Sequence, residues 1–389
     1  MNADNLSWTG TEQDIFANIS KILEEENNKL KPVNLVITGK TGTGKSTLIN
    51  AVFREEMAQV GTGRPVTQHT KLYQKDNIPL RIYDTKGLEL GQSVQASTME
   101  EIKYLILEKW ASGNEDEFIH VVWYCINSGS NRVEDIELQW IKDICSLGES
   151  GVPVIVVITQ SFRKQKAEAL KKVIEEELDG MSLYRGCCVV LAAADEDEPE
   201  RFPPPFGLKE LVRATFEVIP DSAKRALVNS QGVDIDLKVK AARKYLKGYI
   251  LSAATTGAIP VPWADAPALI ANEVAMCVHL TVTFGINLDN ALIAGIATTL
   301  VGVPAVTIAG KTVVSNVLKM IPGVGTVLGG IISGSTAALL TAALGRTYIS
   351  ILESIARSEM KMEDIGSDAF NSRIRKMMEM EMDKKSTDS

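Results

Sequence analysis

The rhythm of apolar and polar positions changes twice along the chain. Over residues 11–30, Ile15, Ile19, Ile22 and Leu23 recur at three- and four-residue spacing behind Thr11, a side chain suited to an N-cap, so the pattern predicts an amphipathic helix. From residue 33 short apolar runs alternate with helical patterns. The runs predict strands at 33–38, 71–75, 80–84, 118–126, 154–159 and 188–192, and the stretches among them predict helices at 45–56, 98–111, 134–147, 164–178 and 208–218. Such alternation implies an α/β domain with a mostly parallel, doubly wound sheet.

The second change follows Pro220. A basic helix with Lys238, Lys240, Arg243, Lys244 and Lys247 leads into a region, reaching to Gly345, that is rich in Gly, Ala, Thr and Val and is expected to be helical. Two runs in it, 291–310 and 321–345, are long enough to cross a bilayer. Gly325 with Gly329, and Gly330 with Gly334, have the spacing that lets helices approach closely. Against spanning stand Pro304, the Thr, Ser and Gly that dilute both runs, and Asp265, Glu273 and Asp289 before them. A soluble Ala/Gly-packed bundle is therefore the competing reading, with Trp263 and the basic helix suited to an anionic lipid interface under the first. The expected parts are an N-terminal helix (1–32), the α/β domain (33–220), an all-α hydrophobic domain (221–349) and a charged, Met-rich tail (350–389) expected to fray.

The chemistry is concentrated where the first strand ends. Gly39-Lys40-Thr41-Gly42-Thr43-Gly44-Lys45-Ser46 has the form G-x-x-x-x-G-K-S between a strand pattern and a helix pattern. Glycines 39, 42 and 44 allow turns closed to other residues and bring backbone amides, with those of Thr41, Thr43 and Thr47 nearby, up to phosphate oxygens. Lys45 reaches the β- and γ-phosphates, the Ser46 hydroxyl can ligate Mg²⁺, and the helix dipole favours the same anion. Downstream, Leu80 to Leu88 is an apolar strand ending in D-x-x-G. Asp84 can hold Mg²⁺ through a water, and the Gly87 amide can sense a third phosphate. The polar loop between them should supply a threonine to Mg²⁺ and the γ-phosphate, Thr67 before Thr70.

Composition narrows the partners. A formal charge of -8 argues against nucleic acid as the main partner. Five cysteines without C-x-x-C spacing fit a reducing, cytoplasmic compartment, and three scattered histidines suggest no metal cluster. Residues 1–4 show neither a secretory pattern nor a myristoylation glycine, so membrane contact, if made, is expected through residues 259–345.

On G-K-T-G-T-G-K-S, P-V-T and D-T-K-G-L, residues 33–220 resemble an Era-like P-loop GTPase, a group with immunity-related and septin-type relatives. The following half resembles the YcjF-type domain of unknown function, on I-P-V-P-W-A-D and M-I-P-G-V-G. The resemblance implies GTP/GDP and Mg²⁺ as ligands and slow hydrolysis. It assigns phosphate and metal binding to Lys45 and Ser46, the first switch to Thr67 and the second to Asp84 and Gly87. Two departures bear on mechanism. Leu88 stands where Ras-type GTPases carry a water-orienting glutamine, which implies help from elsewhere, such as a second G domain across a homodimer or oligomer. Thr159-Gln160-Ser161-Phe162 replaces N/T-K-x-D, so the guanine-reading aspartate is missing and ATP stays open as a ligand. Gln160 is then expected to lie on the base, with the backbone at Ala193 nearby and Asp195 a distant substitute. A non-hydrolysing interaction protein with structural nucleotide is the second reading; a small-molecule kinase would leave D-T-K-G and the threonine loop without a role.

Overall fold

The structure is a computed structural model that describes residues 12–53, 64–65, 70–85, 92–130, 132–147, 151–194, 203–256, 265–287, 306–308, 311–313, 334–361, 364–365 and 367–383. Its contacts divide the chain into two units, Leu30–Asp234 on one hand and Met1–Lys29 with Ile235–Ser389 on the other.

In the first unit β1 (Val33–Gly39) is buried at every position, which requires cover on both faces and places it inside a sheet. The sheet has the order β2-β3-β4-β1-β5-β6-β7, with β2 (Arg64–Pro65), β3 (Thr70–Gln74), β4 (Leu80–Thr85), β5 (Val121–Asn127), β6 (Val154–Thr159) and β7 (Tyr184–Val189). β1 pairs in parallel with β4 on one side and β5 on the other; the pairings of β3 with β4 and with β2, at the edge, are antiparallel. Because the chain crosses to opposite sides of β1, a crevice opens at the carboxyl ends of these strands.

Alternation along β5 shows how the faces are filled. Tyr124 joins the core made with α3 (Gln92–Ala111), α4 (Asp135–Cys145) and α5 (Lys164–Glu177). Trp123 points the other way, stacks on Phe53 with ring centres 6.0 Å apart, and donates its indole N–H to Thr215 of α6 (Leu208–Val218) at 3.0 Å. The phosphate-loop helix α2 (Lys45–Val52) lies on this side too, with Leu48, Ile49 and Val52 buried.

Two expected strands shift. Residues 118–120 precede β5 rather than belonging to it, since the Asn34 amide donates to the carbonyls of Asp116 and Phe118 and fixes a turn there. β7 ends at Val189, and Leu191 instead bridges to Phe206.

Pro220, at the expected domain boundary, is the N-cap of a helix. α7 (Asp221–Ser230) buries Ala223, Ala226 and Leu227 and packs on β1 and β4. The turn after it is tied down by Gln231, whose side-chain oxygen accepts from the amides of Val233 and Asp234, and by Gly232, whose amide donates to Val52 at 2.8 Å. Fully buried Asp234 pairs with Arg213 at 2.6 Å, a contact that fastens the last residues of this unit to α6.

In the second unit α8 (Ile235–Thr256) packs on α9 (Asp265–Phe284) and most extensively on α10 (Gly334–Ala356). A Cβ on Gly345 would strike the Leu246 side chain, so that glycine sets the close approach of α8 and α10. α1 (Glu12–Asn28) belongs here by contact: Ile19 and Ile22 are buried, and Glu26 reaches His279 of α9 at 3.7 Å. The Met-rich tail was expected to fray, but residues 368–383 of it form a helix. α11 (Asp368–Asp383) buries Phe370, Ile374 and Met378, one every four residues, and packs on α10. Helix was also expected at 306–313, where β8 (Val306–Ile308) and β9 (Lys311–Val313) pair antiparallel, as β-branched residues favour. The remainder of the runs 291–310 and 321–333, with Trp263, lies outside the described residues. Among the described residues no helix is long and apolar enough to cross a membrane.

Candidate functional site

The loop after β1 is shaped by its glycines. Gly39 has φ 138° and lies so close to the Cys125 carbonyl of β5 that a Cβ would clash with it; Gly42 and Gly44 both have φ 78°, in the left-handed region. Gly44 caps α2, whose first residue is Lys45. Lys45 is buried, and its Nζ donates to the carbonyls of Gly39 at 3.0 Å and Lys40 at 3.2 Å, so the ammonium is curled into the concavity of its own loop. Burial lowers its pKa and the nearby Asp84 carboxylate opposes that. Thr41, Gly42, Ser46 and Thr47 are exposed along the loop and first turn, whereas the Thr43 hydroxyl is used locally, donating to Lys40 at 2.9 Å.

Asp84 reaches this loop through register: it is opposite Ile37 of β1 and Lys71 of β3 near the carboxyl end of β4. Burial raises its pKa to about 6, against the pull of Lys45 and Lys71. Its Oδ1 is buried without a hydrogen-bond partner among the described residues. A carboxylate oxygen of this kind, beside a loop of exposed hydroxyls, suits a hydrated divalent cation, so the donor set fits Mg²⁺. Thr70, the second choice for the first-switch role, is instead a buried residue of β3 opposite Thr85. Thr67, Gly87, Leu88 and Asp195 lie outside the described residues.

At the opposite rim Gln160 adopts a left-handed φ of 51°, rare for a side chain of its size. The strain is held by three contacts: its carbonyl accepts from the Ser128 hydroxyl at 2.7 Å, its Oε1 accepts from the Asn127 amide at 2.8 Å, and its Nε2 donates to the Gly42 carbonyl at 2.7 Å. Gln160 thus lies across the phosphate loop. Thr159 does not face the site in the same way; it is buried and its hydroxyl donates to Ile126, joining β6 to β5. Ala193 is exposed just past the Leu191–Phe206 bridge.

Three contributors were not foreseen from sequence. Asn127 and Ser128, at the end of β5, orient Gln160, but an Asn-Ser pair after an apolar run reads as an ordinary turn. Lys40, a variable position of the loop pattern, pairs with Glu134 at 2.6 Å and Glu137 at 3.2 Å and so moors the loop to the start of α4. The signal available was the capping box itself, in which the Glu134 amide donates to Glu137.

Residues 34–160 match the family model described as a 50S ribosome-binding GTPase, and residues 229–375 match a domain of unknown function, DUF697. The chain therefore carries a P-loop GTPase domain joined to a DUF697 helical domain. The tRNA modification GTPase MnmE of Actinobacillus pleuropneumoniae serotype 5b is 33% identical over 158 residues, covering 39% of this chain and 31% of that protein. Magnetosome membrane protein 22 of Magnetospirillum gryphiswaldense is 31% identical over 156 residues, covering 39% of this chain and 66% of that one. Among solved structures, Aquifex aeolicus Era bound to GDP.AlF4- is 20% identical with a TM-score of 0.32, covering 49% of this chain and 58% of that one. The chain spans less than a third of the length of the tRNA-modification GTPases it matches.

Proposed function

We propose that the protein is a GTP-dependent switch that hydrolyses its nucleotide slowly and engages a membrane surface or partner through its helical unit. The observation that carries this reading is a buried Lys45, curled onto the carbonyls of its own glycine loop, near enough for its charge to act on Asp84, whose buried Oδ1 has no hydrogen-bond partner among the described residues. Lys45 is the cation for the β- and γ-phosphates. Ser46 and Asp84, with Thr67, are the residues to hold Mg²⁺, which when bound neutralises charge on the phosphate oxygens. Gly87 and Thr67 are the contacts to the third phosphate, the only part of GTP that GDP lacks, and any switching energy must come from them.

Leu88 cannot orient water, so low intrinsic turnover is expected, with a second G domain in a homodimer completing the site. Phosphate release followed across an about hundredfold dilution series tests this. Specific activity should rise with protein concentration; a flat series removes the dimer mechanism. Release at no concentration favours the second reading, an interaction protein with structural nucleotide, for which Leu88 is the specific support. GTP is preferred to ATP on family grounds. With Phe162 where the base-reading aspartate falls, the preference should be modest in a competition measurement against a fluorescent analogue.

A further inference from the structure

We propose that the outward face of α8 is a docking surface for an anionic lipid bilayer. This deepens the reading of the helical unit as the engaging half by naming the surface and what it meets. Lys240, Arg243, Lys244 and Lys247 are all exposed. At about 100° per residue they share an arc of roughly 100° with Leu251, one turn further on. Lys238, the fifth cation of the helix, is on the other side; it is buried and donates to the Phe284 carbonyl at 2.8 Å. Ion pairs of this unit among the described residues join other side chains, such as Glu26 with Lys29, Arg346 with Glu381, and Arg357 with Asp236 and Glu353. Among the described residues, no acidic side chain pairs with any of the four cations. In a chain of formal charge -8 this is a local reversal of sign.

Leu251 decides which polyanion fits. It is 68% exposed, the most exposed large hydrophobic side chain among the described residues. A leucine beyond a cationic row gains from entering the acyl boundary of a bilayer and gains nothing from a phosphodiester backbone. A single-stranded nucleic acid would be met by aromatic platforms among the cations. The aromatic residues of this stretch face away: Tyr245 packs on His279 with ring centres 4.2 Å apart, and the Tyr249 hydroxyl lies 3.3 Å from the His279 ring nitrogen. Lysine and arginine side chains each contribute about a fivefold gain in affinity near an anionic leaflet, so four on one face suffice for reversible binding.

Flotation of the full chain with phosphatidylcholine vesicles, with and without about 30 mol% phosphatidylserine, tests the assignment. The protein should float only with the anionic vesicles and should be released at about 0.5 M salt. Reversal at all four sites (K240E, R243E, K244E, K247E) should weaken flotation at least about a hundredfold, and Leu251→Asp several-fold, with the circular dichroism melt and GTP-analogue affinity unchanged. Should the fourfold variant misfold, K244E with K247E gives the same test with a smaller loss. Equal flotation on neutral vesicles, flotation indifferent to charge reversal, or retention of tRNA by the same cations without flotation would each overturn the proposal. Retained flotation in a protein that binds no GTP would sink the switch reading and leave the docking face standing.

Discussion

Each unit buries a carboxyl group with no cation paired to it among the described residues, Asp84 in the sheet unit and Glu273 in the helical one. Burial raises both, Asp84 to about 6 and Glu273 to about 7. The surroundings differ in kind. Asp84 has Lys45 and Lys71 pulling its pKa back down, whereas Glu273 is met by the Thr341 hydroxyl and the Asn272 side chain, with buried Cys277 one helical turn further along α9. The same desolvation is opposed by nearby cations in one unit and by neutral hydrogen-bond donors in the other. Under the proposed function the first carboxylate serves a ligand, while the second lies within the packing of the helices.

The largest effect should come from separating the two buried lysines. Lys45→Ala should weaken binding of a fluorescent GTP analogue by about a hundredfold or more, as expected for losing a charge-assisted contact to phosphate. Lys238→Ala should leave that affinity unchanged and lower the melting temperature. Equal loss of nucleotide in both would mean that Lys45 acts through the fold.

Next comes pH. The folded pKa of Glu273 is above that of an unfolded glutamate, so its contribution is fully present below about pH 4.5 and is lost as pH rises through about 7. From those two values the packing of α9 on α10 should lose about 3 kcal/mol by pH 9. Amide exchange in these helices should quicken accordingly, and Glu273→Gln should flatten the dependence. An unchanged pH profile in that variant would show that Glu273 is not the titrating group.

Asp84→Asn should cost about tenfold in nucleotide affinity with Mg²⁺ present and almost nothing in chelator, the mark of a charge that acts on the metal. The smallest effect is expected at the rim. Asn127→Ala frees the Gln160 amide and should weaken GTP binding about threefold, a share of one hydrogen bond. Combined with Gln160→Ala it should add nothing, and additivity would show that the two act separately.

Sequence pattern revealed what rests on local chemistry. The G-x-x-x-x-G-K-S loop needs its strand, its glycines and its helix in immediate succession, and β1, β6 and the cradle could be read directly. What depends on distant partners could not. Gln160 is recognisable as a loop residue, but its bond to Gly42 spans the site, and Asn127 acquires a role only once β5 and β6 are side by side. Pro220 looks like a boundary because proline ends regular structure, yet it can also precede a helix, and α7 is held by contacts to β1 and β4 that no local signal announces. In the helical unit the same ambiguity governs apolar runs, since periodicity alone does not distinguish a buried helix from a short hairpin such as β8 and β9.

The glycines of the loop also determine how experiments on it should be interpreted. A methyl group at Gly39 would have to part β1 from β5, so an alanine there reports on the integrity of the sheet, whatever it does to the nucleotide. At Gly42 a methyl group meets nothing within 4 Å among the described residues, and the cost that remains is the backbone strain of a left-handed residue. Two neighbouring substitutions that look alike on paper are thus different instruments, one reading the scaffold and the other the ligand.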